Sequence, residues 1–185
     1  TAGPRPGPRA EVSRQRRSRT LPQMKANGWR TLAFTSPGEG AGKTLTAVNL
    51  AICISQEVNQ TVLLVDLDLR RPAVHARLGL SVDKGLPDCL LDNEPVENVL
   101  INPHFKRLVI LPGRALGDYS SELLSSPRMQ TLVKELVARY ESRIILFDLP
   151  PLLRNDDALV FTPQTDATLL VIEDGVSTAD QVRRC

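Results

Sequence analysis

The stretch from Trp29 to Ser55 sets the terms for everything around it. An apolar run from Thr31 to Thr35 leads into Ser36-Pro37-Gly38-Glu39-Gly40-Ala41-Gly42-Lys43-Thr44, and a long apolar segment with few breakers follows from Leu45. The order is strand, glycine-rich turn, helix, which is the context a phosphate-binding loop requires. Gly38, Gly40 and Gly42 let the backbone curl so that successive N–H groups face one anion. Lys43 adds a point charge for the outer phosphates, and the Thr44 hydroxyl is placed to ligate Mg2+. The positive end of the helix dipole, opening near Lys43, acts on the same spot. The usual spacing asks for glycine where Pro37 stands. The plainer reading is a glycine turn with Lys43 and Thr44 as ordinary first-turn residues, and it leaves Gly-Lys-Thr at a strand-to-helix junction to accident.

Two further apolar runs end in acid. Thr61-Val-Leu-Leu-Val-Asp66-Leu-Asp68-Leu-Arg70-Arg71-Pro72 reads as a short buried strand closing on two carboxylates. If the extended geometry persists, Asp66 and Asp68 fall on one side. Arg143-Ile-Ile-Leu-Phe-Asp148-Leu-Pro150-Pro151 repeats the theme as a Walker-B pattern, an apolar run and an acid that steers Mg2+. Ligands of open α/β sheets bind at the carboxyl ends of the strands, so these acids converge with the glycine loop at one edge. Arg70 has two equal readings, neutralising phosphate or pairing with an aspartate.

Between these motifs, His75–Leu80, Asp88–Leu91 and Val96–Leu100 read as short helices and turns, and Leu108 to Leu111 as a strand. Ser126-Pro127 is an N-cap followed by an N1 proline. Met129, Leu132, Val133, Leu136, Val137 and Tyr140 then form an amphipathic face, which places Tyr140 in the core. Thr168 to Ile172 is a fifth strand, and a last helix opens near Thr178. Strands alternating with helices imply right-handed crossovers, hence an α/β P-loop fold with a mostly parallel sheet flanked by helices on both faces.

Composition narrows the class. At 185 residues and 42% hydrophobic, the chain suits one α/β core and is short for two domains. Residues 1–20 carry six Arg and one Glu, net +5 against a chain total of +2, which leaves −3 for the remainder. We therefore divide the chain into a basic, Pro/Arg-rich arm at 1–20, whose first ten residues read as a disordered leader, and a P-loop domain at 21–185. The arm contains Glu11, Arg14 and Arg17 as E-x-x-R-x-x-R, which would share one side of a helix. The alternative is a solvated basic arm attracted to anionic lipid or nucleic acid. No apolar run reaches the length of a membrane span, and the N-terminal arginines and prolines lack a signal peptide's apolar core. The odd cysteine count without a CxxC pair indicates a reduced, cytoplasmic protein. His75 and His104 are too isolated for a metal site.

With these residues laid out, roughly residues 11–182 resemble the bacterial tyrosine autokinases (BY-kinases) of capsule and exopolysaccharide assembly, in the branch associated with exosortase-type loci. The likeness rests on the phosphate loop Ser36–Thr44, a Walker-A′ element Asp-x-Asp-x-Arg within Val62–Arg70, a Walker B at Ile144–Pro151 with Leu149 where Ser or Thr is usual, and the Glu11/Arg14/Arg17 element. It implies a protein-tyrosine kinase using ATP and Mg2+. Gly38, Glu39, Gly40, Ala41, Gly42, Lys43, Thr44 and Leu45 would hold the nucleotide, and Thr44, Asp68 and Asp148 the metal. Lys43, Asp66, Asp68 and Asp148 would be the catalytic set, with Asp66 orienting or deprotonating the acceptor hydroxyl. It also implies homo-oligomers built through Glu11, Arg14 and Arg17, a membrane-embedded polysaccharide chain-length regulator as partner, and recruitment to the inner face of the cell membrane. Nucleic acid is not among the partners it implies. The family fold continues by at least one more strand and helix, and usually ends in a tyrosine-rich tail, so the resemblance implies a domain cut short at its C-terminus. The sequence contains two tyrosines, Tyr119 and Tyr140.

Two other functions remain open. One is a P-loop ATPase of the partition or division-positioning type, although those proteins carry an early signature lysine where Gly38 stands. The other is a nucleotide-gated assembly module without catalysis.

Overall fold

The computed structural model describes residues 8–140 and 142–185, with side chains from Arg17 onward except at Glu141. Five strands form one sheet in the order β3-β2-β4-β1-β5. They are β1 (Thr31–Thr35), β2 (Thr61–Asp66), β3 (Leu108–Leu111), β4 (Arg143–Asp148) and β5 (Ala167–Leu170). Every pairing is parallel, so all five carboxyl ends open on the same edge. The register puts Asp66 beside Asp148 and Phe34 beside that same Asp148. Strands β2, β4 and β1 are neighbours, and this adjacency brings the two acid-terminated runs next to the glycine loop.

Alternation along the strands divides the core into two layers. Val62 and Leu64 point to one face with Phe34, Ile144 and Leu146. That face is covered by α2 (Lys43–Ser55), whose Leu50, Ala51 and Ile54 are fully buried. Leu63 and Val65 point to the other face with Ile145 and Phe147, under α6 (Pro127–Ala138) and its Met129, Val133 and Leu136. Burial on both faces is why these strands read as continuous apolar runs rather than alternating ones. Shorter helices complete the layers: α3 (Val74–Arg77), α4 (Leu86–Leu91), α5 (Ser120–Ser125), α7 (Asp157–Phe161) and α8 (Ala179–Arg184).

The N-terminal helix α1 (Pro8–Asn27) runs unbroken through position 20, where composition ends the basic arm. Its Leu21 and Met24 are buried in the α2-side layer. Gly28, at φ +67, closes it, with Trp29 N–H donating to the Met24 carbonyl at 2.8 Å, a Schellman-type ending. Residues 1–7 of the expected leader lie outside the described residues, and helix begins at Pro8. The side chains of Glu11 and Arg14 lie outside them too. Arg17 is described, and its guanidinium sits 2.6 Å from Glu57 at the far end of α2.

Ser126 caps α6 as expected, accepting from Met129 N–H at 3.1 Å. Tyr140 is a correction: α6 ends at Ala138, so the ring falls beyond the apolar face and is half exposed. Its ring packs against the Arg143 guanidinium, 3.9 Å from the centroid.

Candidate nucleotide site

The glycine loop folds as its composition requires. Gly40 and Gly42 take φ of +82 and +83, in the left-handed region that costs an L side chain about 1–2 kcal/mol. Gly42 is the N-cap of α2, and no side chain caps that end. The first N–H groups of a thirteen-residue helix are thereby left facing the cleft, as an anion site needs. Ser36 anchors the loop's start by donating to the Gly38 carbonyl at 2.6 Å. Leu152 N–H donates to the Ser36 carbonyl at 2.8 Å, joining the loop to the segment after β4.

Lys43 carries the centre of the site. Its Nζ lies 2.8 Å from Asp68 Oδ2 and 3.6 Å from Asp148 Oδ1. Burial opposes its charge, but Asp148 and Asp68 outweigh it and hold the ammonium above its usual value. Asp148 is fully buried, and neither of its oxygens has a hydrogen-bond donor in bonding geometry. Burial pushes its carboxyl up to about 6, against the pull of Lys43 and Thr44. A fully buried carboxylate whose oxygens make no hydrogen bond of good geometry, with only the Lys43 ammonium at 3.6 Å to balance it, has room for a further positive partner. Among the described residues no set of three or more His, Cys, Asp or Glu forms a protein cage for a metal. Mg2+ takes one or two carboxylates and completes its shell with phosphate oxygens and water. Thr44, Asp68 and Asp148 fit such an ion.

Asp66 is also fully buried, and its role is more local than the sequence suggests. It accepts from Asp68 N–H at 3.2 Å, Ala73 N–H at 2.9 Å and Val74 N–H at 3.0 Å, holding the loop after β2 in place. Burial and the Asp148 charge push it up to about 7, against the pull of Val74 N–H. Gly113 packs against it so closely that a Cβ there would lie 2.9 Å from the Asp66 carbonyl oxygen and 3.2 Å from its Cγ. Only glycine fits at that point. Arg70 pairs with Asp157 at 3.2 Å and Asp118 at 2.9 Å, which selects the pairing alternative in this structure.

Lys43, Thr44 and Asp68 line a cleft of about 550 Å³ together with Gly40, Gly42 and Leu45, large enough for a nucleotide; the fully buried Asp66 and Asp148 do not line it. Glu39 lines it as well, while Gly38 and Ala41 belong to the loop without lining the cleft. Several lining residues were not among those singled out from sequence: Arg71, Arg77, Arg154 and Asn155. Arg154 stands three residues past Pro151, and only its distance from a Walker-B end would have flagged it.

Comparison with known proteins decides the family. A family profile described as AAA domain matches residues 29–173. Tyrosine-protein kinase YwqD of Bacillus subtilis is 34% identical over 155 residues, covering 84% of this chain and 64% of that protein. This chain belongs to the AAA domain family, and its curated relatives are named tyrosine-protein kinases. The chain thus spans a little under two thirds of YwqD. The solved kinase domain of Escherichia coli tyrosine kinase ETK superposes with a TM-score of 0.86 at 28% identity, covering 95% of this chain and 68% of that one. The septum site-determining protein MinD of Pyrococcus horikoshii, solved in complex with Mg-ADP, matches with a TM-score of 0.65 at 25% identity, over 77% of this chain and 57% of that one. The P-loop fold with its parallel sheet and flanking helices, expected from sequence, is the fold observed. No described helix is long and apolar enough to cross a membrane.

Proposed function

We propose that this domain binds Mg-ATP and transfers its terminal phosphoryl group to tyrosine hydroxyls, as part of an autokinase that regulates exopolysaccharide or capsule production. The observation that carries the reading is Lys43, held 2.8 Å from Asp68 and 3.6 Å from Asp148 beneath an uncapped helix start. The relatives named as tyrosine kinases support the choice of reaction. Phosphoryl transfer through a loose transition state asks for placement and charge compensation more than covalent chemistry. Lys43 and the amides from Gly40 to Thr44 would hold the phosphates, while Thr44, Asp68 and Asp148 would hold Mg2+. The ion, when bound, neutralises charge on the phosphate oxygens. Asp66, with a carboxyl near neutral pKa, would take the proton from an acceptor hydroxyl once the loop it holds has moved to admit one.

The resemblance further supports self-association through the Glu11/Arg14/Arg17 face of α1 and a membrane-embedded chain-length regulator that would bring the domain to the inner membrane face. A partition-type ATPase is the second reading, favoured by the MinD match. Incubation with labelled ATP and Mg2+, alongside Lys43→Met, separates them. Label on tyrosine that disappears in the variant is the expected result. Phosphate release without protein label would replace the kinase by the ATPase.

A further inference from the structure

Three loops at the carboxyl edge of the sheet meet across the cleft mouth through a single carboxylate. Glu39, in the loop after β1, places Oε2 2.8 Å from Arg71 in the loop after β2. Its Oε1 lies 2.9 Å from Arg154 Nη2 and 3.1 Å from Arg154 Nε, in the loop after β4. The Arg154 guanidinium therefore presents two donors to one acceptor group, a fork that phosphate oxygens match equally well. All three residues line the cleft that contains Lys43 and Thr44. All three are also well exposed: side-chain exposure is 69% for Arg71, 59% for Arg154 and 43% for Glu39.

Exposure decides what this bridge does. Ion pairs in such high dielectric are weak, so the bridge contributes little to stability and exchanges its anion readily. A nucleoside polyphosphate brings several negative charges to the same mouth, where Glu39 offers one. Taking the cleft as a nucleotide site, we infer that Arg71 and Arg154 form a phosphate-recognising pair, and that Glu39 is the resident anion a nucleotide displaces. The arginines reach Glu39 from the loops after β4 and β2, which follow one another on the same side of β1 in the sheet. Glu39 competes with the ligand for them, so it lowers affinity and keeps the mouth neutralised between nucleotides.

This inference predicts opposite signs for substitutions within one bridge. Titration of the full chain with Mg-ADP and with a non-hydrolysable Mg-ATP analogue, at low and high salt, reads it out. Arg154→Gln and Arg71→Gln should each weaken binding about three- to tenfold and flatten its salt dependence. Arg154→Lys, which retains the charge but loses the fork, should fall between. Glu39→Gln should tighten binding about two- to fivefold at low salt, an effect that a merely structural ion pair would not produce. If Arg154→Gln and Glu39→Gln both bind as the unmodified chain does, the bridge is a surface ion pair and the inference fails, while the nucleotide site stands. If Glu39→Gln weakens binding, Glu39 supports the loop rather than competing for it, and the inference fails. If the unmodified chain binds neither probe, the site reading fails and the inference with it.

Discussion

Replacing Asp148 with asparagine should make the metal-free protein more stable while disabling it. Asp148 is fully buried, neither of its oxygens makes a hydrogen bond of good geometry, and burial raises its carboxyl from 3.8 to about 6 against the pull of Lys43 and Thr44. A rise of that size corresponds to about 3 kcal/mol between the two protonation states. The folded state binds the proton more tightly than the unfolded chain does. Stability therefore falls as pH climbs from about 4 to about 6, and the whole penalty is present at neutral pH. Asparagine removes the buried charge without changing the shape. Lys43 loses a neighbour at 3.6 Å but retains Asp68 at 2.8 Å, so part of the gain is returned. The net expectation is about 1–3 kcal/mol at neutral pH, and about 2–4 °C in Tm per kcal/mol for a chain of this size. Thermal unfolding in chelator, without nucleotide, should show Asp148→Asn melting above the unmodified chain at neutral pH, with the gap closing toward pH 4. Adding Mg-nucleotide should raise Tm for the unmodified chain and much less for the variant. A variant that melts lower than the unmodified chain at neutral pH in chelator would refute the reasoning, since it would mean that attraction to Lys43 exceeds the cost of burial.

Asp66→Asn should reduce phosphotransfer by at least about 10²-fold; turnover like that of the unmodified chain would remove Asp66 from the chemistry and leave it the holder of the Ala73 and Val74 amides. Gly42→Ala forces a side chain into φ +83 and should cost about 1–2 kcal/mol in thermal or denaturant unfolding, with an accompanying loss of nucleotide affinity; an unchanged midpoint would show that the loop relaxes at no cost. Joint replacement of Arg14 and Arg17 by alanine should shift size-exclusion elution toward monomer, and an unchanged profile would confine Arg17 to its pair with Glu57.

Much of the fold was legible because parallel strands buried on both faces leave a plain trace. Leu108 to Leu111 and Thr31 to Thr35 are uninterrupted runs between breakers, and both strands begin and end at those residues. The start of α6 was equally plain, because Ser126-Pro127 combines a cap with a fixed φ. Tyr140 misled because periodicity reports which side a residue would occupy if the helix continued, and the helix stops at Ala138. The split at position 20 followed charge, whereas α1 follows its apolar residues Leu21 and Met24 into the core.

By itself the sequence determined that a phosphate loop and acid-terminated strands share one chain, since each motif is a local pattern of turn chemistry and apolar burial. Strand order was left to the tertiary structure. Placing β4 between β1 and β2 sets Asp148 within 3.6 Å of Lys43, while Asp66 turns to the backbone amides of its own loop. The Glu39 bridge likewise joins residues from three separate loops. Coulomb forces and hydrogen bonds act over a few ångströms of space, and distance along the chain carries no record of which loops will face one another.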